Sequence, residues 1–170
     1  MESNFSIQPE QPSHQAGIDE IIRLGFGSDE ERKKRTVYQF RHKIGGLTSL
    51  NFVAIDKQGQ VLGSIRFWPV VAPNATILPL LGPLAVIPEL RGRGIGHALV
   101  KKGIQACSQH YPAILIVGEP GYYVPMGFCV NCVKGLSLPG TVSPLILMGY
   151  EITPNSLSSL NGMVKPNIKH

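Results

Sequence analysis

Apolar residues recur at helical spacing between Ser13 and Phe26, at Ile18, Ile21, Ile22 and Phe26, which predicts an amphipathic helix there. A second, weaker helix is expected from Ser28 to about Lys43. It opens on Ser28-x-x-Glu31, the spacing of a capping box, so the mixed-sign run DEERKKR (Asp29 to Arg35) reads as its solvated first turns. The period then changes. The runs NFVAI and VLGSIRFWPVV are β-rich and joined by DKQGQ, whose Gly59 signals a turn, so they predict an antiparallel hairpin. APNA supplies another turn, and TILPLLGPLAV is a third run expected to pair back against the second.

Past a glycine-rich stretch, Leu99, Val100, Ile104 and Cys107 form an apolar stripe while Lys101, Lys102, Gln105 and Ser108 face water, giving an amphipathic helix of three or four turns. Gly103 inside it costs about 1 kcal/mol relative to alanine, tolerable where a helix lies close against a sheet. AILIV from Ala113 is a short, wholly apolar strand. Together these make a strand, helix, strand unit with a right-handed parallel crossover. FCVNCVKGLSL, the turn PGTVSP and LILMGYEI read as a terminal hairpin, and Thr153 to His170 as a loose tail.

Pro79 and Pro83 both occupy odd positions of the third run and so remove two N–H donors from the same edge. That strand is too apolar for an exposed edge, so a bulged or splayed place is expected near Leu84, Ala85 and Val86, where a ligand would find unpaired backbone groups. Chance placement in a chain with 14 prolines is the alternative.

With 170 residues the chain suits one domain, expected over 1–152 with the tail at 153–170. The N-terminus has no basic start before an apolar core, and the longest apolar run, Ile77 to Pro88, is too short to span a bilayer, so a soluble cytoplasmic protein without a membrane partner is expected. Three cysteines in such a chain argue for reduced thiols. Cys129 and Cys132 spell C-x-x-C, but on a strand residues three apart point to opposite faces, so the pair is expected neither to hold a metal nor to close a bridge. The net charge of +5 admits nucleic acid, a membrane surface or a small acidic ligand. No basic run is interleaved with aromatics as a base-stacking surface requires, and nucleic acid is set aside.

The small acidic ligand fits the glycine-rich stretch PELRGRGIGHALV best. Its glycines serve either a tight turn or a loop that lets an anion approach the first, unpaired N–H groups of a helix. A P-loop would need Lys and Ser or Thr after Gly96, where His97 and Ala98 stand. A dinucleotide fingerprint fails too, ending on His97 or Leu99 in place of its third glycine. Only Glu119, placed to suit a ribose, keeps a nucleotide-binding oxidoreductase as a distant reading.

Arg91, Gly94 and Gly96 fill R-x-x-G-x-G, and with LGPLAVIPELRGRGIG and GEPGYYVPMGF around it the chain resembles the GNAT superfamily of acyl-CoA-dependent N-acetyltransferases, in its bacterial YhbS-like branch. The resemblance runs from the N-terminal helices through the final hairpin. It implies an α/β (α+β) fold: a mixed, mostly antiparallel central sheet with flanking helices. It also implies acetyl-CoA as co-substrate, with no metal. The strand before the signature would pair with the pantetheine arm through Leu84, Ala85 and Val86. The backbone amides of Arg91, Gly92, Arg93, Gly94, Ile95, Gly96 and His97 would cradle the diphosphate. A tyrosine four residues before a Gly-Phe pair falls on Tyr123.

In such a reaction a neutral amine attacks the thioester, the oxyanion needs a backbone donor, for which Val86 N–H is the candidate, and the departing thiolate gains from a proton. A tyrosine is protonated at neutral pH, so Tyr123 suits that last task; its other reading is a core aromatic, and Tyr122 reads as packing. Two features depart from the family. Many members of the family carry a glutamate as base on the strand before the signature, yet the corresponding stretch here, TILPLLGPLAV, has no acidic residue, leaving Glu119, His97 or a water chain. VPM stands where relatives often carry charged residues, and Pro125 there would shorten the turn and shift Tyr123. The implied activity is acetyl transfer to a primary amine on a small molecule or peptide, by direct attack in a ternary complex, from a monomer or homodimer. A catalytically idle acyl-CoA-binding module of the same fold is the alternative.

Overall fold

The computed structural model describes residues 4–27, 46–139 and 146–167. The expected second helix with its Ser28 capping box lies outside them. The first element is a strand that the sequence pattern did not reveal, β1 (Ser6–Pro9), which is short and half polar. Helix α1 (Gln15–Phe26) follows a short 3₁₀ turn and buries Ile18, Ile21 and Ile22, as its periodicity requires.

Strands β2 (Phe52–Ile55), β3 (Val61–Val71) and β4 (Ile77–Val86) form the expected antiparallel meander. The first turn is held by Asp56, whose Oδ1 accepts from the N–H groups of Gln58 and Gln60 at 2.9 Å each, and by Gly59 at φ 83°. Helix α2 (Ile95–Cys107) carries the chain to β5 (Ala113–Gly118), which lies parallel to β4. The single-turn helix α3 (Pro120–Tyr123) comes next, then β6 (Leu136–Ser137) and β7 (Ile146–Glu151), which is antiparallel to β5. Two short strands, β8 (Gly162–Met163) and β9 (Lys165–Pro166), end the described chain. The main sheet runs β1-β2-β3-β4-β5-β7, with β9 added to β3.

Alternation along the strands divides the core between two faces. Ile65, Phe67, Leu81, Ile114, Ile116 and Met148 meet Ile95, Leu99, Val100 and Cys107 of α2. Gly103 is explained here: a Cβ on it would lie 2.6 Å from the Phe67 ring, so the helix can sit this close only with glycine. On the other face α1 packs on Val53, Val61 and Ala85. The rest of that face, with Leu78, Leu80, Ala113 and Leu115, is covered by Cys132, Val133, Leu136, Leu157 and Val164. One ion pair ties β1's end to β3: Arg66 donates to both carboxylate oxygens of Glu10, at 2.7 and 3.0 Å.

The chain after β5 departs from expectation in three ways. FCVNCV is not a hairpin arm: Cys129 makes one isolated bridge to Gly149, and Asn131–Val133 is a 3₁₀ turn. That turn brings Cys129 and Cys132 together, Cα atoms 5.7 Å apart, in a disulfide, so a strand's opposed faces do not separate them. Finally, the described part of the expected tail is packed, with Leu157 and Val164 buried and β9 paired to β3. The apolar side chains of that segment cover sheet surface that would otherwise face water.

Candidate active site

The two prolines do not act on one edge as expected: Pro79 stays in register opposite Pro69, and only Gly82 and Pro83 break the register. Against β3, Ile65 pairs with Leu84 but Phe67 pairs with Leu81, so a bulge absorbs Gly82 and Pro83. Against β5, β4 pairs only at Leu80 and Leu81, although β5 itself continues to Gly118 along β7. Past the bulge the two parallel strands therefore separate, and Leu84, Ala85 and Val86 keep β3 on one side and an opening on the other. Their polarity follows from one bond. Ile87 N–H donates to Leu62 O at 2.9 Å, toward β3. Backbone groups alternate sides along a strand, so the N–H groups of Val86 and Leu84 point into the opening.

The glycine stretch lies at the mouth of this opening. Pro88–Leu90 is a 3₁₀ turn, and Gly92 and Gly94 then take φ of 81° and 86°, left-handed conformations that favour glycine. Gly94 is the N-cap of α2, with its carbonyl accepting from Ala98 N–H. The N–H groups at the start of α2 have no partner within the helix, and the dipole's positive end adds to them. Among the described residues, chain neighbours aside, no heavy atom lies within 4 Å of where a Cβ would stand on Gly92 or Gly94, so the loop offers its backbone to a ligand.

A cleft of about 600 Å³ joins these parts. It is lined by Leu84, Ala85 and Val86, by the loop and helix start at Arg91, Gly92 and Gly94 to His97, and by Tyr122 and Tyr123. Arg93 does not line it and is exposed. Glu119 is likewise exposed outside the cleft wall; its carbonyl caps the next turn by accepting from Tyr122 and Tyr123 N–H. Sequence reasoning missed the cleft's third wall, Gly25 and Phe26 at the end of α1. Arg91 reaches that wall, one guanidinium nitrogen standing 3.3 Å from where a Cβ on Gly25 would be.

The two tyrosines differ in support. Tyr123 is half-buried, its ring against Gly118, where a Cβ would come within 2.6 Å of it, and edge-on to Tyr122 and Phe128 at 4.9 and 5.6 Å between centroids. Its carbonyl accepts from Phe128 N–H. Val124–Met126 forms a tight 3₁₀ turn closed by Gly127 at φ 103°, so Pro125 sits in a shortened turn directly after Tyr123. Tyr122 is not simple packing: its hydroxyl stands over Gly96 and its ring is edge-on to His97 at 5.3 Å. Desolvation raises the Tyr122 pKa, so the hydroxyl keeps its proton well past neutral pH.

Residues 16–121 match the acetyltransferase (GNAT) family model. The chain is 31% identical over 163 residues, 94% of either chain, to the uncharacterized N-acetyltransferase YhbS of Escherichia coli K12. The crystal structure of YhbS from Escherichia coli in complex with CoA superposes with a TM-score of 0.78 at 30% identity, covering 96% of this chain and 90% of that one. A GNAT family acetyltransferase from Brucella melitensis in complex with acetyl-CoA superposes at 0.70 with 26% identity, covering 95% and 94%.

Proposed function

Because the chain belongs to the acetyltransferase (GNAT) family and is an N-acetyltransferase by that membership, we propose that it moves the acetyl group of acetyl-CoA onto a primary amine by direct attack in a ternary complex. The observation that carries this reading is the separation of β4 from β5 beside a glycine loop at a helix start. The two relatives described above bind CoA and acetyl-CoA. The loop fits a diphosphate: two glycines leave the backbone uncovered, helix N–H groups face outward, and Arg91 supplies a positive charge at the rim. Leu84 and Val86, whose backbone groups face the opening, offer strand-type hydrogen bonds to the amides of the pantetheine arm, with Ala85 between them paired to Ser64 on β3.

In this reading the amine nitrogen attacks the acetyl carbonyl carbon and Val86 N–H stabilises the oxygen as it becomes negative. The C–S bond then breaks, and Tyr123 gives its hydroxyl proton to the departing sulfur, leaving CoA as the thiol. The amine's proton leaves through water or His97, which lines the cleft. Glu119, exposed outside the wall, is the less suitable base. The acceptor is a small-molecule or peptide amine. Among the described residues no helix is long and apolar enough to cross a membrane, and we place the reaction in the cytoplasm.

The test is thiol release from acetyl-CoA by purified protein across a panel of polyamines, amino sugars, peptide N-termini and lysine peptides. Release that depends on one amine class supports transfer. Tight CoA binding by calorimetry without release from any amine would favour an idle binding module.

A further inference from the structure

Among the described residues, the C-x-x-C segment is a cluster of reactive side chains that acetyl transfer does not use. Its 3₁₀ turn holds the Cys129 and Cys132 Cα atoms 5.7 Å apart, within the range a disulfide spans without backbone movement. In the bridged state the Cys129 sulfur lies 3.1 Å from Gly149 O and the Cys132 sulfur 3.3 Å from Cys129 O, so carbonyl oxygens stand near both sulfurs to receive thiol hydrogens when the bridge opens. Val130 and Asn131, at the tip of the turn, are exposed, and Cys129 is only partly buried, so a small thiol can reach the bridge.

Glu151 is the third group near the sulfurs, all ligand atoms lying within 4.8 Å of one another. Its carboxylate already accepts from the N–H groups of Leu157 and Ser158 and from the Ser158 hydroxyl. That leaves two sulfurs and one committed carboxylate, fewer donors than a closed tetrahedral zinc site has. The geometry favours sulfur–sulfur chemistry over an ion.

We infer that Cys129 and Cys132 form a reversible thiol–disulfide pair that sets the seating of Phe128 and, through it, of Tyr123. Phe128 is the residue before Cys129; its ring is edge-on to Tyr123 and its N–H donates to Tyr123 O. Reduction needs two molecules of a small thiol such as glutathione. The first thiolate attacks the Cys129 sulfur and displaces Cys132, which takes up a proton; the second attacks the mixed disulfide, releasing the Cys129 thiol and oxidised glutathione. Oxidation is the reverse. Cys107, buried under the sheet, has no cysteine beside it and stays outside the exchange.

The consequence for turnover rests on the acetyl-transfer reading, whereas the exchange itself and the movement of Phe128 do not. The full chain would be equilibrated in glutathione buffers of graded potential, quenched in acid, alkylated and analysed by mass. Cys129 and Cys132 should lose two hydrogens together in one two-electron step while Cys107 takes the label after unfolding at every potential. Hydrogen exchange on wild-type protein should show the Phe128 and Cys129 amides about tenfold less protected after reduction. In C129S/C132S that difference should vanish. The inference is overturned if both cysteines stay alkylatable at the most oxidising potential. Copurified zinc that blocks their labelling, or identical protection of those amides in both redox states, would overturn it equally.

Discussion

The Tyr122 hydroxyl stands directly over Gly96, so a side-chain carbon on that glycine would overlap the oxygen while staying 3.6 Å from the ring carbon that bears it. Gly96→Ala should therefore displace Tyr122 at the entrance to the glycine loop and, if that loop holds the diphosphate as proposed, raise KM for acetyl-CoA about tenfold, with a smaller effect on kcat. Tyr122→Phe removes the overlapping atom. The double variant Gly96→Ala/Tyr122→Phe should recover most of the lost affinity, an interaction that a double-mutant cycle of KM values measures directly. Additive losses would mean that Gly96 matters for the ligand alone.

Gly94 presents a different case, since among the described residues, chain neighbours aside, no atom lies within 4 Å of its missing Cβ and its φ is 86°. A Gly94→Val variant meets no collision with the described residues, so its cost is backbone strain together with, in the proposed reading, a branched carbon standing where the diphosphate would approach. CoA affinity by calorimetry should fall at least about tenfold. An unchanged affinity in folded protein would place the diphosphate elsewhere.

Arg91 borders the cleft and Arg93 does not, so the two should separate in a charge test. Arg91→Gln should weaken CoA binding about tenfold and flatten its dependence on salt, while Arg93→Gln should leave the affinity within about threefold of wild type. Equal losses would show that binding draws on the summed field of the loop.

Much of this site was legible because its parts are local. The separation of β4 from β5 begins at the bulge that Gly82 and Pro83 make, and the loop follows from glycines at a helix start. The wall at Gly25 and Phe26 was not legible, because only tertiary packing brings the end of α1 to the loop. The C-x-x-C segment misled for a related reason. Alternation in FCVNCV suggests a strand, yet Cys132 and Val133 are adjacent and both buried in one cluster, which a turn allows and a strand's opposite faces forbid. β1 and the strands after Leu157 are two to four residues long, too short for a period to appear.

Burial pushes the Cys107 thiol up to about 12 from its ordinary 9.0. The folded protein thus holds this proton to higher pH than the unfolded chain does. The associated stability is complete below pH ~9 and is lost as pH rises toward ~12, by something on the order of 4 kcal/mol over the whole interval. Denaturant unfolding of wild type and Cys107→Ala at a series of alkaline pH values should show this slope in the first and not the second. Cys107→Ala should start lower at neutral pH, since it empties space under α2.

The two tyrosines are separated by what each hydroxyl is placed to do. Tyr123 is seated by Gly118, Phe128 and Tyr122, and Tyr123→Phe keeps the ring and those contacts. If its hydroxyl protonates the departing thiolate, kcat should fall by roughly 10²–10⁴ with CoA affinity little changed. Tyr122→Phe, which alters the loop entrance, should instead act mainly on KM. Leaving-group acidity gives a second discriminator: a thiol that departs readily as thiolate depends less on an acid, so thioesters of more acidic thiols should narrow the gap between Tyr123→Phe and wild type. Full kcat in Tyr123→Phe, with the chemical step shown to be limiting, would remove Tyr123 as the acid and leave its ring as a support for the cleft.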